Sequence, residues 1–250
     1  MLVVIDDANC NKYCDKYGKS HTMCKPKKGK ACGSAYEQFK FSKKQINQLL
    51  SFHNKFRQRA ANGKEIKTQG TLPKAADMCQ MKWDNELAAV AQKLANQCEF
   101  KHDCNECRYI LNRKRINYVG QNIAYSASNP KASDKMAKFL EGANLWYSKE
   151  VGDFKDDYVA KYKFGTKYGH YSQLIWANSC YLGCGGSIYK KGDFYHYEIV
   201  CNYGEAGNFE NNPVYKKGKP CSACPKGRSC SKSYPGLCGN VKNLSFWEGM

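Results

Sequence analysis

Long apolar runs are missing from this chain of 250 residues. None approaches the roughly 20 residues that a membrane-spanning helix needs, so the sequence predicts no transmembrane segment. The apolar stretch at residues 2–5 is too short for a secretion signal, so we expect a secreted form to have lost its signal already.

Acidic residues are scarce, with 22 Asp and Glu against 40 Lys and Arg, and the formal net charge is +18. This excess predicts attraction to anionic partners, such as glycosaminoglycans, nucleic acids, acidic lipids or acidic proteins. Basic runs occur at residues 25–30, 113–115 and 216–219, but other basic residues are scattered. The alternative interpretation is a solvated surface that only favours solubility.

The cysteines lack the partners of a zinc finger. Cys104 with Cys107 and Cys221 with Cys224 have CxxC spacing, but no HxxxH pair follows either of them. Fifteen cysteines at this density indicate disulfide bonds and an oxidising compartment. Because the number is odd, at least one thiol is free or is bonded to another chain.

Composition divides the chain into three parts. Residues 1–41 carry four cysteines and little apolar periodicity, which predicts a disulfide-tied N-terminal arm. Residues 42–212 contain three helical patterns, which begin after Ser42, Asp84 and Ser133. Residues 213–250 combine cysteines with Pro and Gly, which predicts a small cysteine-rich C-terminal extension.

Strand patterns lie between and after the helices, at residues 118–125, 182–189 and 194–203. Since they do not alternate regularly with helices, they favour an α+β fold. Residues 190–193 predict a hairpin turn, whose Lys191, Gly192 and Asp193 resemble an integrin-binding tripeptide of the Arg-Gly-Asp type. The alternative is that these residue types only serve the turn.

Two longer segments resemble family signatures. Residues 169–178 (GHYSQLIWAN) and 201–208 (CNYGEAGN) resemble the first and second signatures of the CAP proteins (cysteine-rich secretory proteins, antigen 5, pathogenesis-related 1). Residues 53–57 (HNKFR), 83–87 (WDNEL) and 119–124 (VGQNIA) are similar to further motifs of the insect antigen 5 branch, which includes venom allergens and salivary proteins. The resemblance implies an α-β-α sandwich.

The resemblance also implies part of the cross-linking. The implied pairs are Cys10–Cys24, Cys14–Cys104 (or Cys107), Cys32–Cys98, Cys184–Cys201, Cys221–Cys230 and Cys224–Cys238. Cys79, Cys180 and one of Cys104 or Cys107 lie outside this pattern. The second signature usually has an apolar residue where Glu198 stands and Pro where Glu205 stands, and we expect both departures to be surface variation.

Many proteins of the family have a cleft lined by two His and two acidic residues. The resemblance places His102 and His170 at the His positions, where they would bind Zn²⁺ or Cu²⁺. We expect that the protein requires no cofactor for its function. The alternative is that both imidazoles only form hydrogen bonds within a polar cleft. No Ser or Cys nucleophile stands in a recognised motif beside either His.

The acidic positions of that cleft depart from the family. Gln121 occupies the first, and its amide cannot exchange a proton usefully. The second falls by count on Lys149, and the nearest carboxylate is Glu150. A step of one helical residue turns a side chain by about 100°, so we expect Glu150 to reach the cleft only if the helix shifts. A hydrolase is therefore disfavoured.

The resemblance implies a secreted protein of saliva or venom that modulates host haemostasis, inflammation or complement without being an enzyme. A small hydrophobic ligand, such as a lipid mediator or a sterol, would bind between helices. The alternatives are a polyanion-binding or integrin-directed inhibitor, or a redox activity of copper or zinc at the His pair. We expect a monomer, and residues 243–245 form a glycosylation sequon.

Overall fold

The computed structural model describes residues 7–112 and 116–240. The sequon at residues 243–245, the basic run at 113–115 and the apolar stretch at 2–5 lie outside the described residues. The α-helices are α1 Asp7–Tyr17, α2 Lys43–Ala61, α3 Asn85–Ala95, α4 Lys135–Ser148 and α5 Gly169–Ile175. The strands are β1 Glu37–Phe39, β2 Lys82–Trp83, β3 Val119–Ser128, β4 Tyr181–Lys191, β5 Phe194–Gly204, β6 Arg228–Cys230 and β7 Cys238–Asn240.

The three long helices begin where local sequence signals place them. Ser42 caps α2 by accepting from the Gln45 N–H, while the Gln45 side chain accepts from the Ser42 N–H, which completes a capping box. Asp84 caps α3 in the same position, as predicted. The cap of α4 is Asp134, one residue after the predicted Ser133.

Five strands form the main sheet, with the order β1-β4-β5-β3. The hairpin of β4 and β5 is its centre, and β3 pairs antiparallel with β5 so that Gln121 lies opposite Asn202. The short β2 pairs parallel with the start of β4, and β1 pairs antiparallel with its later part. This register brings the start of β3 and the end of β5 to one end of the sheet.

Helices cover both faces of this sheet, which gives the α-β-α sandwich. On one face α3 lies so close that a Cβ at Gly183 or Gly185 would come within 2.1–2.2 Å of its backbone. On the other face Phe139 of α4 contacts Gly186, and the main core lies between sheet, α2, α4 and α5 around Trp146. Glycine at alternating positions of β4 therefore allows the close approach of α3.

The N-terminal arm corrects two expected disulfides. Cys24 is bonded to Cys14, not to Cys10, and Cys104 is bonded to Cys107, not to Cys14. Cys10, one helical turn before Cys14, is a free buried thiol in the cluster that contains Val90 of α3. Because a cysteine forms only one disulfide, the Cys14–Cys24 bond leaves Cys10 without this partner. The tight turn in which the Cys107 N–H donates to Cys104 O brings Cys104 and Cys107 together.

The other cysteines form five bonds. Four of them agree with the implied pairing: Cys32–Cys98, Cys184–Cys201, Cys221–Cys230 and Cys224–Cys238. The fifth joins Cys79 to Cys180, which the implied pairing left without partners. The C-terminal extension packs on the body of the protein, because Leu237 belongs to the main core and Cys238 donates its N–H to Met78 O. Within the described residues, no helix combines the length and the apolarity needed to cross a membrane.

Candidate functional site

Glu150 and His170 meet where α4 ends and α5 begins. The α-helix stops at Ser148, so Glu150 belongs to the turn that follows and is free of the helical geometry. Its carboxylate lies 2.5 Å from His170 Nδ1 and accepts the backbone N–H groups of His170 (2.8 Å) and Tyr171 (3.0 Å). The expectation that Glu150 needs a helix shift is therefore wrong, because it assumed that α4 continues to residue 150.

His102 is held by Gln121 on the opposite side of the cleft. His102 Nδ1 lies 2.7 Å from Gln121 Oε1, and Gln121 Nε2 donates to Asn202 Oδ1 at 3.0 Å. Because the amide oxygen can only accept, His102 must carry its proton on Nδ1. The register that places Asn202 opposite Gln121 thus fixes the orientation of the Gln121 amide, and with it the tautomer of His102. Sequence reasoning missed Asn202, although the alternation of side chains along β3 and β5 could have indicated it.

The loop that carries His102 is positioned by contacts that sequence reasoning missed. Asp103 forms an ion pair with Arg108, with Nε and Oδ1 2.6 Å apart, and also accepts a hydrogen bond from Thr22 of the N-terminal arm. Arg108 also donates to Val119 O at the start of β3. No spacing rule connects these residues, since they come from three separate segments.

The two imidazoles face each other, with ring centroids 6.5 Å apart and planes inclined by 24°. The His170 ring also stacks against Trp146 at 6.4 Å, and its side chain is 33% exposed. With each Nδ1 engaged, Nε2 is the ring nitrogen left to bind a ligand on both residues. Desolvation, with smaller contributions from Arg108 and His170, lowers the pKa of His102, which favours its neutral form.

The donor set suits a metal ion as a two-imidazole site. Anchoring of one ring nitrogen by a carboxylate or an amide is the usual support for a metal-binding His. Cys221, Cys224 and Cys238 bring three ligand atoms within 4.8 Å of one another. No other group of three or more His, Cys, Asp or Glu side chains does so among the described residues. Those sulfurs belong to disulfides and are not thiolates. In this cleft, Nε2 of His102 and Nε2 of His170 are the ring nitrogens that could hold an ion.

Ser172, two residues after His170, does not pair with the His170 imidazole. Ser172 Oγ lies 2.6 Å from Asn208 Oδ1 and 3.1 Å from Gly169 O, so its proton is directed away from His170. The cleft thus combines two imidazoles, one carboxylate and one amide without an activated Ser.

Three other features singled out in the sequence lie far from this cleft or differ from expectation. Lys191, Gly192 and Asp193 are exposed at the hairpin tip, about 30 Å along the strands from Asn202. Glu198 is not surface variation, because it has no exposed area and accepts a hydrogen bond from Tyr189 at 2.7 Å. Glu205 also has a structural contact, since its carboxylate accepts backbone N–H groups at residues 117 and 118.

Known proteins share this fold and much of this sequence. The family model described as "CAP: Cysteine-rich secretory protein family" matches residues 50–203. A cysteine-rich venom protein of Tityus serrulatus is 41% identical over 235 residues, covering 93% of this chain and 54% of that protein. Venom allergen 3 of Solenopsis invicta is 38% identical over 218 residues, covering 83% of this chain and 88% of that protein.

A solved structure extends the similarity to three dimensions. The crystal structure of NaASP2 with Zn²⁺ matches with a TM-score of 0.61 and 29% identity, covering 79% of this chain and 96% of that one. The chain spans about half the length of several curated relatives that it matches, the Tityus serrulatus protein among them.

Proposed function

The chain belongs to the CAP, or cysteine-rich secretory protein, family, and on this premise we propose that it is a secreted venom- or saliva-type protein that sequesters a small amphiphilic ligand. Removal of a lipid mediator is the way in which it would modulate haemostasis, inflammation or complement. The observation that carries this proposal is a groove between α2 and α4.

The groove has a volume of about 380 Å³, within the range of small-molecule sites. Met136, Ala137 and Leu140 of α4 provide an apolar wall, while Lys44 and Gln48 of α2 and Asp134 at the start of α4 provide polar groups. Both helices begin at this groove, so their positive dipole ends add to the charge of Lys44, while the Asp134 carboxylate that caps α4 offsets part of that charge. These features favour an amphiphile with an anionic head and an apolar tail, such as a fatty acid.

Titration of the full chain with oleate, followed by calorimetry, tests the groove. We expect Lys44→Glu to weaken binding at least tenfold and Leu140→Asp to abolish it, while Leu145→Asp, on an exposed part of α4 outside the groove, leaves it unchanged. Thermal unfolding of each variant separates lost binding from lost folding. Equal oleate affinity in all four proteins, or no bound lipid after exposure to an organic extract, contradicts the proposal.

A second candidate function is binding of Zn²⁺ or Cu²⁺ by Nε2 of His102 and His170. The observation that supports this proposal is the orientation of both rings: Gln121 contacts Nδ1 of His102, and Glu150 contacts Nδ1 of His170. The Zn²⁺ in the NaASP2 structure supports the same chemistry for this fold. A bound ion would polarise a coordinated water, or in the case of copper exchange electrons, and the protein residues would only hold and orient it.

The metal proposal is tested by calorimetry with Zn²⁺ and Cu²⁺ on the His102→Ala/His170→Ala double variant. We expect loss of one binding event per chain, whereas His196→Ala, which changes an imidazole stacked between Tyr125 and Tyr189, retains it. A superoxide assay of the copper-loaded protein tests the redox alternative. Unchanged stoichiometry in the double variant refutes both.

Two surface features support further alternatives. The exposed Lys191-Gly192-Asp193 turn favours an integrin-directed activity, which Asp193→Ala would remove from a platelet adhesion assay. The net charge of +18 favours polyanion binding. Heparin retention that disappears below physiological ionic strength contradicts the polyanion proposal.

A further inference from the structure

A second pocket lies at the opposite end of α5 from the His pair. It has a volume of about 220 Å³ and lies where the segment after β5 crosses the segment that ends α5. His170 is at the start of α5 and Trp176 caps its end, so about 9 Å of helix separates the pocket from the cleft. The pocket shares no lining residue with the groove between α2 and α4.

Aromatic rings form one part of this pocket. Trp176 and Phe209 line it, with ring centroids 6.2 Å apart and planes inclined by 67°. Tyr118 extends the aromatic surface, because its ring meets Phe209 edge to face at 5.8 Å. Phe209 is 39% exposed and Tyr118 is 51% exposed, whereas Trp176 is 3% exposed, so Phe209 and Tyr118 are the rings that a ligand can reach most freely.

A carboxylate forms another part. Glu205 lines the pocket, and its oxygens accept the backbone N–H groups of Asn117 at 2.7 Å and Tyr118 at 3.0 Å. These two bonds hold the carboxylate in one orientation beside the rings. Asn178 and Asn212 add amide groups to the lining, so the polar groups of the pocket include several oxygen acceptors and only one formal charge.

We propose that this pocket, built from Trp176, Phe209 and Glu205, binds a small organic cation that carries an ammonium group. Aromatic faces attract such cations through their quadrupole, and a fixed carboxylate supplies the opposite charge. The volume of about 220 Å³ suits a ligand of a few heavy atoms. The site is independent of the proposed amphiphile groove, so the two proposals fail separately.

Choline and its uncharged isostere 3,3-dimethylbutan-1-ol are the probes, since they match in shape and differ in charge. Binding to the full chain is followed by the shift of aromatic resonances in NMR or by Trp fluorescence. We expect choline to bind at least about tenfold more tightly than the isostere, because only choline gains the cation–π and carboxylate interactions.

Three variants locate the site. Glu205→Gln and Phe209→Leu should each weaken choline binding about three- to tenfold while the weak binding of the isostere changes little. Glu210→Gln, which removes an exposed carboxylate outside the pocket, is the matched control and should bind as the parent does. Thermal unfolding checks that Glu205→Gln and Phe209→Leu both remain folded. Equal binding of both probes, or choline binding that neither variant alters, overturns the proposal.

Discussion

The carboxylate of Glu150 contacts His170 at two points, the ring Nδ1 and the backbone N–H, at 2.5 Å and 2.8 Å. Its second backbone bond, to the Tyr171 N–H at 3.0 Å, satisfies another donor at the start of α5. One side chain therefore orients the imidazole and begins the helix that carries it.

Replacement of Glu150 by Gln should weaken metal binding at the His pair about 10- to 100-fold, as is usual for the groups that orient a metal-binding His. The amide keeps one acceptor oxygen, but it cannot serve the ring and both backbone donors together. Calorimetry with Zn²⁺ measures the change. Glu141→Gln, an exposed carboxylate of α4 that pairs with Lys138, is the control. An affinity for Zn²⁺ that is the same in Glu150→Gln and the parent protein contradicts the assigned role.

Arg57 should be among the least replaceable residues of the chain. It is fully buried on α2, and its guanidinium donates to the carbonyls of residues 79, 174, 176 and 177 at 2.7–3.0 Å. Lys cannot reach four carbonyls, so Arg57→Lys should lower the free energy of unfolding by about 3 kcal/mol. Arg59→Lys, on the exposed side of the same helix, should change it by less than about 1 kcal/mol.

Denaturant unfolding with the disulfides intact measures both Arg variants. Equal losses of stability for Arg57→Lys and Arg59→Lys would show that the buried carbonyl contacts of Arg57 contribute little.

Glu198 should make the protein less stable as the pH rises. Burial, the largest cause, raises the pKa of its carboxyl from 4.5 to about 7, and Glu198 Oε1 has no hydrogen-bond partner among the described residues. Between pH 4.5 and 7 the folded chain therefore keeps a proton that the unfolded chain releases. The free energy of unfolding is therefore highest, as far as Glu198 is concerned, below pH 4.5. It should fall by about 3 kcal/mol as the pH rises from 4.5 to about 7.

The Glu198→Gln variant tests this pH dependence, because the amide does not titrate. Relative to the parent, it should be more stable at pH 8 and of similar stability at pH 4, as measured by urea unfolding. A stability difference that is constant across this pH range would exclude ionisation of Glu198 as its source.

Cys10 should be the one cysteine that reacts with a thiol reagent when the chain is unfolded without reduction. Its side chain is 9% exposed, so a thiol reagent should not label the folded chain, whereas denaturation without reduction should reveal one thiol. Peptide mapping should then yield a Cys14–Cys24 pair. Recovery of a Cys10–Cys24 peptide would restore the expected pairing, and a Cys10→Ser variant with no reactive thiol is the control.

Several features of the chain could be predicted because they depend on near neighbours. The caps Ser42 and Asp84 act within one helical turn, and the hairpin turn before Phe194 closes between adjacent strands. The signature residues indicated the family, and the family in turn predicted the sandwich fold and the proximity of His102 and His170.

The sequence by itself thus determined the fold family, the starts of α2 and α3, the hairpin turn, and the residue types of the cleft. Tertiary structure alone decided which cysteine of α1 reaches Cys24, where Glu150 points, and that Glu198 is buried. The physical reason is the range of the interactions. Caps and turns act over a few residues, whereas disulfide choice, side-chain direction after a helix end, and burial depend on packing between segments far apart in the chain.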